Sequence, residues 1–165
     1  MALRASDRVV PRFAAPPRVM IVEARFYADI ADEMARGAER LLIEAGATFE
    51  RHAVPGAFEI PAAIGFAARA GEGGARRPFD GFVALGCVVR GETSHYDYVC
   101  GESARGLQDL AIQRGLAIGY GILTVENLDQ AWERARMDRQ DKGGDAAHAC
   151  LSMIALKAAL GGQPK

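Results

Sequence analysis

The sequence predicts an α/β fold: a three-layer α/β/α sandwich around a four-stranded parallel sheet, in a single domain. Three observations predict it. Four short apolar runs, at 19–22, 47–54, 81–89 and 117–123, have the length of strands. Segments with helical spacing separate them, and the resulting order βαβαβαβαα calls for parallel strands joined by right-handed crossovers. The chain has 165 residues, 50% of them hydrophobic, enough for one core.

Residues 1–17 contain three prolines and no clear period, so they read as an arm outside the core; the domain follows at 18–162, with a tail at 163–165. Val19-Met20-Ile21-Val22 is β-branched and apolar throughout, as a strand buried on both faces should be. After it, Ile30, Met34, Ala38, Leu41, Leu42 and Ala45 fall on one helix face, acidic residues crowd the first turn, and Gly46 suits the position just past the end. The second run mixes polar with apolar residues and belongs nearer a sheet edge. Pro55-Gly56 breaks it. An alanine-rich helix over 57–70 follows, with Pro61 tolerable only in a first turn. Residues 71–78 form a flexible, exposed insertion ahead of the third strand. A helix over 96–114 offers Val99, Leu107, Leu110 and Ala111 to the core. Past the fourth strand, Asn127 and Gln130 resemble a capping box opening a helix that holds Trp132. Asp141-Lys142-Gly143-Gly144 reads as a turn. The last helix points Ala147, Cys150, Leu151, Ile154 and Ala158 inward, and Gly161-Gly162 ends it.

Lys and Arg total 20 against 21 Asp and Glu, a net charge of −1, so no strong field recruits nucleic acid or an anionic membrane. No apolar run approaches the ~20 residues that span a bilayer. Residues 1–17 lack the apolar stretch of a secretory signal, and the expected location is the cytoplasm. Cys87, Cys100 and Cys150 are odd in number and widely spaced, matching neither a zinc site nor a disulfide framework. They read as reduced, mostly buried thiols.

The third apolar run ends in Val88-Val89-Arg90-Gly91-Glu92-Thr93-Ser94-His95-Tyr96-Asp97-Tyr98-Val99-Cys100. Loops at the carboxyl ends of parallel strands open into the ligand crevice, and N–H groups at a helix start suit an anion. A histidine there can move protons near neutral pH. Capping the helix or packing on Tyr96 is the other reading of His95.

Three strings occur in order: Val54-Pro55-Gly56-Ala57-Phe58-Glu59-Ile60-Pro61, then Leu85-Gly86-Cys87-Val88-Val89-Arg90-Gly91-Glu92-Thr93-Ser94-His95-Tyr96-Asp97-Tyr98-Val99, then Gly121-Ile122-Leu123-Thr124-Val125-Glu126-Asn127. Together they closely resemble the lumazine synthase family (6,7-dimethyl-8-ribityllumazine synthase) of riboflavin biosynthesis, from about Arg18 to Leu160. The resemblance implies a flavodoxin-like fold and a transferase reaction. The amine of 5-amino-6-(D-ribitylamino)uracil condenses with the ketone of 3,4-dihydroxy-2-butanone 4-phosphate, an imine forms, phosphate leaves, and a ring closes with loss of water. No cofactor or metal is implied. Orientation of two reactants can lower a barrier by up to ~7–11 kcal/mol, and a positioned proton-transfer group typically adds ~10²–10⁴-fold.

The resemblance also implies residue roles. His95 is the catalytic proton donor and acceptor. Glu92 and Thr93 hold the butanone phosphate through backbone N–H groups and the threonine hydroxyl, with the glutamate carboxylate turned away. Arg134 binds the same phosphate, for which a guanidinium fork is suited; Arg136 and Arg139 compete for that role. Phe26 stacks on the pyrimidine, with a core position as its alternative. Ala57, Phe58 and Glu59 bind the ribityl chain, although Phe58 also fits a core. Cys87, Val88 and Val89 read the pyrimidine through main-chain groups, and Lys142 is a second basic group near the ligands. Tyr120 reaches the pocket from a neighbouring subunit. Three positions depart from the usual family pattern: Tyr27 replaces a common Asn, Cys87 a frequent Thr and Tyr120 a frequent Phe.

Family members form homopentamers with the site at the subunit interface, and some pack pentamers into an icosahedral shell. Shell formers tend to carry a glycine-rich turn before the last helix. Here residues 135–142 are charged and free of glycine, which favours a free pentamer. The arm could add a strand to a neighbour's sheet. Riboflavin synthase is the partner enzyme to consider. The competing classes are a non-catalytic flavin- or lumazine-binding paralogue, a shell-forming scaffold and a flavodoxin-like signalling domain.

Overall fold

A computed structural model describes residues 8–74 and 76–161. Strands β1 (Arg18–Ala24), β2 (Thr48–Val54), β3 (Gly81–Val89) and β4 (Ala117–Val125) pair in parallel in the order β2-β1-β3-β4. Helices α1 (Ala28–Glu44), α2 (Ile60–Glu72), α3 (His95–Arg114), α4 (Leu128–Ala135) and α5 (Lys142–Ala159) connect or follow them. From β1 the chain moves to one side of the sheet, then returns across β1 and continues on the other. That reversal is the switch point at which strand-end loops part and leave a crevice.

Alternation along the strands divides the core in two. Val19, Ile21, Val83, Leu85, Leu123 and Val125 face Met34, Leu42, Ala131 and Leu151 of α1, α4 and α5. Met20, Val22, Phe82, Ala84 and Ile122 face Ile60, Ile64 and Leu107 of α2 and α3. The central strands β1 and β3 are buried on both faces, whereas β2 is only partly covered, as its mixed sequence predicts.

The expected helix signals are present. Asn127 Oδ1 accepts from the Gln130 N–H at 3.0 Å, and Gln130 Oε1 accepts from the Glu126 N–H at 3.0 Å. Gly46, just past α1, has φ +70. Several boundaries differ from the sequence reading. Residues 57–59 form one 3-10 turn, and α2 begins at Ile60, which places Pro61 in the first turn where its missing N–H costs nothing. Strand β4 continues to Val125 because its last residues still pair with β3. On α3 only Ser103 and Leu107 are fully buried; Val99, Leu110 and Ala111 are half-buried because the helix covers the edge of the sheet. Ala158 is exposed beyond the end of the sheet. Residues 71–74 and 76–78 are largely exposed, as expected of an insertion.

The largest correction concerns residues 141–144, which are no turn. Asp141 caps α5, accepting from the Gly144 N–H at 3.1 Å, and Lys142 to Gly144 form the first helical turn. Gly143 is needed in that turn because α5 lies directly on α1, and Gly144 leaves room for the Asp141 carboxylate and the Arg8 guanidinium. A Cβ at Gly143 would collide with the Met34 carbonyl, and one at Gly37 with the Asp141 carboxylate. Farther along, a Cβ at Gly119 of β4 would collide with the Ala146 carbonyl of α5.

The arm also departs from expectation, because its second half is bound to the domain. Arg8 is buried and donates from Nη1 to Asp141 Oδ2 at 2.6 Å, from Nη2 to the Asp141 carbonyl at 3.0 Å and from Nε to Asp145 Oδ1 at 2.9 Å. Arg40 of α1 donates to Asp141 Oδ2 at 2.8 Å. Val10 and Phe13 pack against the core. Residues 1–7 of the arm and the 163–165 tail lie outside the described residues.

Two predictions test this packing. Gly143→Ala is expected to cost about 1–3 kcal/mol by overpacking against backbone, read as a lower urea midpoint at unchanged m. Glu33 of α1 is held below the usual carboxylate range by the Arg36 guanidinium and by the Met137 N–H, which donates to it at 3.0 Å. A depressed folded pKa stabilises at pH values above the unfolded carboxylate value, about 4.3, and that contribution is lost as pH falls through the folded value. Glu33→Gln is therefore expected to lower thermal stability at pH 7, with the gap to wild type closing below about pH 4.

Candidate active site

Four loops meet at the carboxyl edge of the sheet. They follow β1 at Arg25–Tyr27, β2 at Pro55–Glu59, β3 at Arg90–Ser94 and β4 at Glu126–Asn127. The β1 loop carries Phe26, whose ring is 77% exposed and meets Tyr27 edge-on, with centroids 5.0 Å apart. The core alternative for Phe26 is therefore excluded. The loop is braced by a buried carboxylate: Glu23 accepts two bonds from Arg51, at 3.0 and 2.9 Å, and Arg25 joins Glu23 at 3.2 Å to Asp32 at 2.7 Å. The apolar run that marks β1 in the sequence stops just short of Glu23. Its burial was signalled only by its arginine partners, Arg25 in the same loop and Arg51 on β2.

In the β2 loop, Ala57 is buried while Phe58 and Glu59 are exposed. The core reading of Phe58 fails as well. The 3-10 turn holds Ala57 inward against Gly86 of β3, so the next two side chains project to the edge.

At the end of β3, pairing with β1 stops at Leu85 opposite Glu23, whereas pairing with β4 continues through Val89. The β1 side of Cys87, Val88 and Val89 is thus open backbone at the switch point. All three side chains are half-buried, and burial pushes the Cys87 thiol up to about 11. Such a thiol remains protonated and a poor nucleophile. Cys150 is fully buried and is pushed up to about 12 by the same desolvation. All three cysteines are free.

Glu92, Thr93 and His95 are exposed, with the His95 N–H directed at Thr93 Oγ1 at 3.4 Å. His95 is the first residue of α3 and Ser94 its cap residue, so the imidazole is not a helix cap. The turn is fixed by Arg90, which sequence reasoning passed over. Its backbone N–H donates to the Val125 carbonyl at 2.9 Å, its Nε to Glu126 Oε2 at 2.9 Å and its Nη1 to Asp97 Oδ1 at 3.3 Å; its guanidinium lies 4.1 Å from the Tyr96 ring centroid. The sequence reading ended the fourth strand at residue 123, so the facing positions of Arg90 and Glu126 became visible only with β4 paired through Val125.

Arg134 lies on the short helix that follows β4. Its Nη1 donates to the Gln130 carbonyl at 3.1 Å, and among the described residues it has no carboxylate partner. The rival Arg136 lies over the Trp132 ring at 5.6 Å. Two of the expected residues do not join the four loops. Tyr120 sits opposite Ala84 in mid-strand, about 17 Å along β4 from Val125 at ~3.3 Å per residue. Lys142 opens α5, bonded to Asp145 at 2.8 Å, and its neighbour Gly143 rests on mid-α1.

An exposed aromatic, open strand-end backbone, and a hydroxyl and a histidine at a helix start thus belong to one edge, and Arg134 lies on the helix that leaves this edge after β4. The set can hold a flat heterocycle and an anion and can move protons. Residues 16–158 match the model of the 6,7-dimethyl-8-ribityllumazine synthase family. The chain is similar to 6,7-dimethyl-8-ribityllumazine synthase 1 of Rhizobium meliloti (strain 1021), at 59% identity over 90% of this chain and 96% of the relative. It is also similar to the 6,7-dimethyl-8-ribityllumazine synthases of Agrobacterium fabrum (strain C58), at 56% over 88% and 98%, and of Afipia carboxidovorans, at 55% over 87% of each chain. The chain belongs to the 6,7-dimethyl-8-ribityllumazine synthase family.

Proposed function

We propose that this chain is a transferase that condenses 5-amino-6-(D-ribitylamino)uracil with 3,4-dihydroxy-2-butanone 4-phosphate to give 6,7-dimethyl-8-ribityllumazine, the penultimate step of riboflavin biosynthesis. The observation that carries this reading is the gathering of Phe26, residues 57–59, residues 87–93 and His95 on loops at one switch point of a chain of this family. A binding paralogue without turnover is not favoured, because the proton-transfer and anion-holding groups are all retained.

Phe26 stacks on the pyrimidine, and the open edge of Cys87, Val88 and Val89 bonds its polar rim. Ala57, Phe58 and Glu59 take the ribityl chain. Glu92 and Thr93 hold the phosphate by backbone N–H groups and a hydroxyl, and Arg134 neutralises it. The uracil amine then attacks the ketone, and water leaves as the imine forms. Phosphate leaves next, as the C–O bond breaks and the neighbouring carbon loses a proton. The enol left behind takes up a proton at its terminal carbon and becomes a ketone, and the ribitylamino nitrogen closes the ring on that new carbonyl with loss of a second water. His95 accepts and returns the protons in these steps.

The working unit is a cyclic homopentamer with shared sites. Phe58, Phe66, Tyr98, Ile112 and Tyr120 are exposed on the 3-10 turn, α2, α3 and β4, an apolar set that an isolated chain would leave in water. One heterologous contact repeated to closure covers such a surface. Tyr120 is too far from its own strand ends to serve its own site, so it belongs to the neighbour's, and Lys142 is assigned in the same way. The free ring is preferred to the shell because residues 135–142 lack glycine. The ring operates in the cytoplasm, with riboflavin synthase as the enzyme that takes its product.

Turnover is expected when both substrates are mixed with the protein, read by lumazine absorbance. His95→Asn is expected to lower kcat by about 10²-fold, the low end for a positioned proton-transfer group. Arg134→Gln is expected to raise KM for the butanone phosphate by about 10- to 100-fold, as a lost charge-assisted contact should, with the uracil KM little changed. Cys87→Thr should stay within about twofold of wild type, because the thiol is protonated and the backbone does the reading. Light scattering should give a five-chain particle. An active monomer would overturn the shared-site assignment, and no turnover by wild type would overturn the activity.

A further inference from the structure

We propose that Arg90 is a positioning residue that sets the spacing between the His95 turn and the helix bearing Arg134, and thereby tunes the phosphate subsite. The proposal rests on the function proposed above.

Arg90 is the first residue past β3, and its contacts run in two directions. Toward β4, its N–H extends the ladder to the Val125 carbonyl, and its Nε reaches both oxygens of Glu126, at 2.9 and 3.2 Å. Toward α3, its Nη1 reaches Asp97 at 3.3 Å and its guanidinium plane covers Tyr96 at 4.1 Å. Tyr96 and Asp97 directly follow His95. Glu126 directly precedes Asn127, the cap of α4, and the Glu126 N–H is itself held by Gln130, whose carbonyl takes the Arg134 Nη1. A continuous chain of contacts therefore joins the first turn of α3 to the guanidinium on α4 through Arg90, Glu126 and Gln130.

Folding alone does not account for this arrangement. Arg90, Glu126 and Asp97 side chains are 42%, 56% and 63% exposed, and pairs that exposed contribute little to stability. What a planar guanidinium supplies is direction: its fixed fork of donors sets the angle between the partners, which a lysine ammonium cannot do. Residues 91–94 between the two anchors have no side-chain partner among the described residues apart from the Thr93 contact with the His95 N–H, and the Ser94 carbonyl takes only the Asp97 and Tyr98 N–H groups of the helix it caps. Their N–H groups converge on an anion only if the loop ends are held at a set separation.

Arg90→Gln, Arg90→Lys, Glu126→Gln and the Arg90→Gln/Glu126→Gln double variant are compared with wild type, all as the assembled protein. Steady-state KM is measured for each substrate separately, and inorganic phosphate binding by calorimetry. Arg90→Gln is expected to raise KM for the butanone phosphate about tenfold and to weaken inorganic phosphate by a similar factor, leaving the uracil KM within twofold. Arg90→Lys should recover less than half of that loss. The double variant should be no worse than Arg90→Gln alone, because both changes cut one strut. Equal rises in both KM values, full rescue by lysine, or losses that multiply in the double variant would each overturn the assignment. If the Arg90 variants fail to assemble, Glu126→Gln decides the question: a loss of about threefold on the phosphate substrate alone supports the strut, and no loss or an equal loss on both substrates overturns it. A wild type that binds phosphate but does not turn over would refute the enzymatic reading, while the phosphate titrations would still decide the role of Arg90.

Discussion

The close seat of α5 against α1 and β4 is the constraint on which the rest of the structure depends. At Gly37, Gly143 and Gly119 two pieces of chain approach so closely that no side chain fits between them. Such an approach excludes water from backbone polar groups, so those groups and the charges beside them must be paired within the protein. Asp141 is the partner that satisfies several at once. It is fully buried in a left-handed conformation (φ 46), caps α5 and binds Arg8 and Arg40. Removing a single member would strand a buried charge, which is why arm, α1 and α5 are fixed as one unit.

With one face of the sheet closed in this way, the carboxyl edge becomes a rigid frame for the reactive groups. The charges there fall into two groups. Glu23, Arg25, Arg51, Arg90 and Glu126 are spent on one another and brace the loops. Among the described residues Phe26, His95 and Arg134 have no comparable partners, which leaves them open for the substrate contacts proposed above. The opposite face leaves Tyr98, Ile112 and Tyr120 in the open, the surface that the proposed ring would cover.

Much of the fold was legible because it depends on local rules. Period, β-branching and turn residues locate the four strands, the face of α1 and the Asn127 cap. Much of the site was legible for a different reason: residues 85–99 form one contiguous string, so their chemistry survives without knowledge of packing. The misses share a cause. The 141–144 stretch, rich in turn formers, reads as a loop because glycine signals flexibility along a chain and equally signals contact between chain segments. The sequence cannot distinguish the two until the partner, Met34 or Asp141, is in place.

The sequence by itself determined the α/β order, the edge character of β2, the family and the identity of the groups at the third strand's end. These follow from short-range patterns that hold whatever the chain packs against. Only the tertiary structure decided that Arg8 is buried, that Phe26 and Phe58 are exposed, that Glu23 is the anchor of the first loop, and that Tyr120 and Lys142 stand apart from their own chain's crevice. Each of these depends on contacts between residues far apart in the chain, and burial, unlike helical period, is a property of the neighbours rather than of the residue.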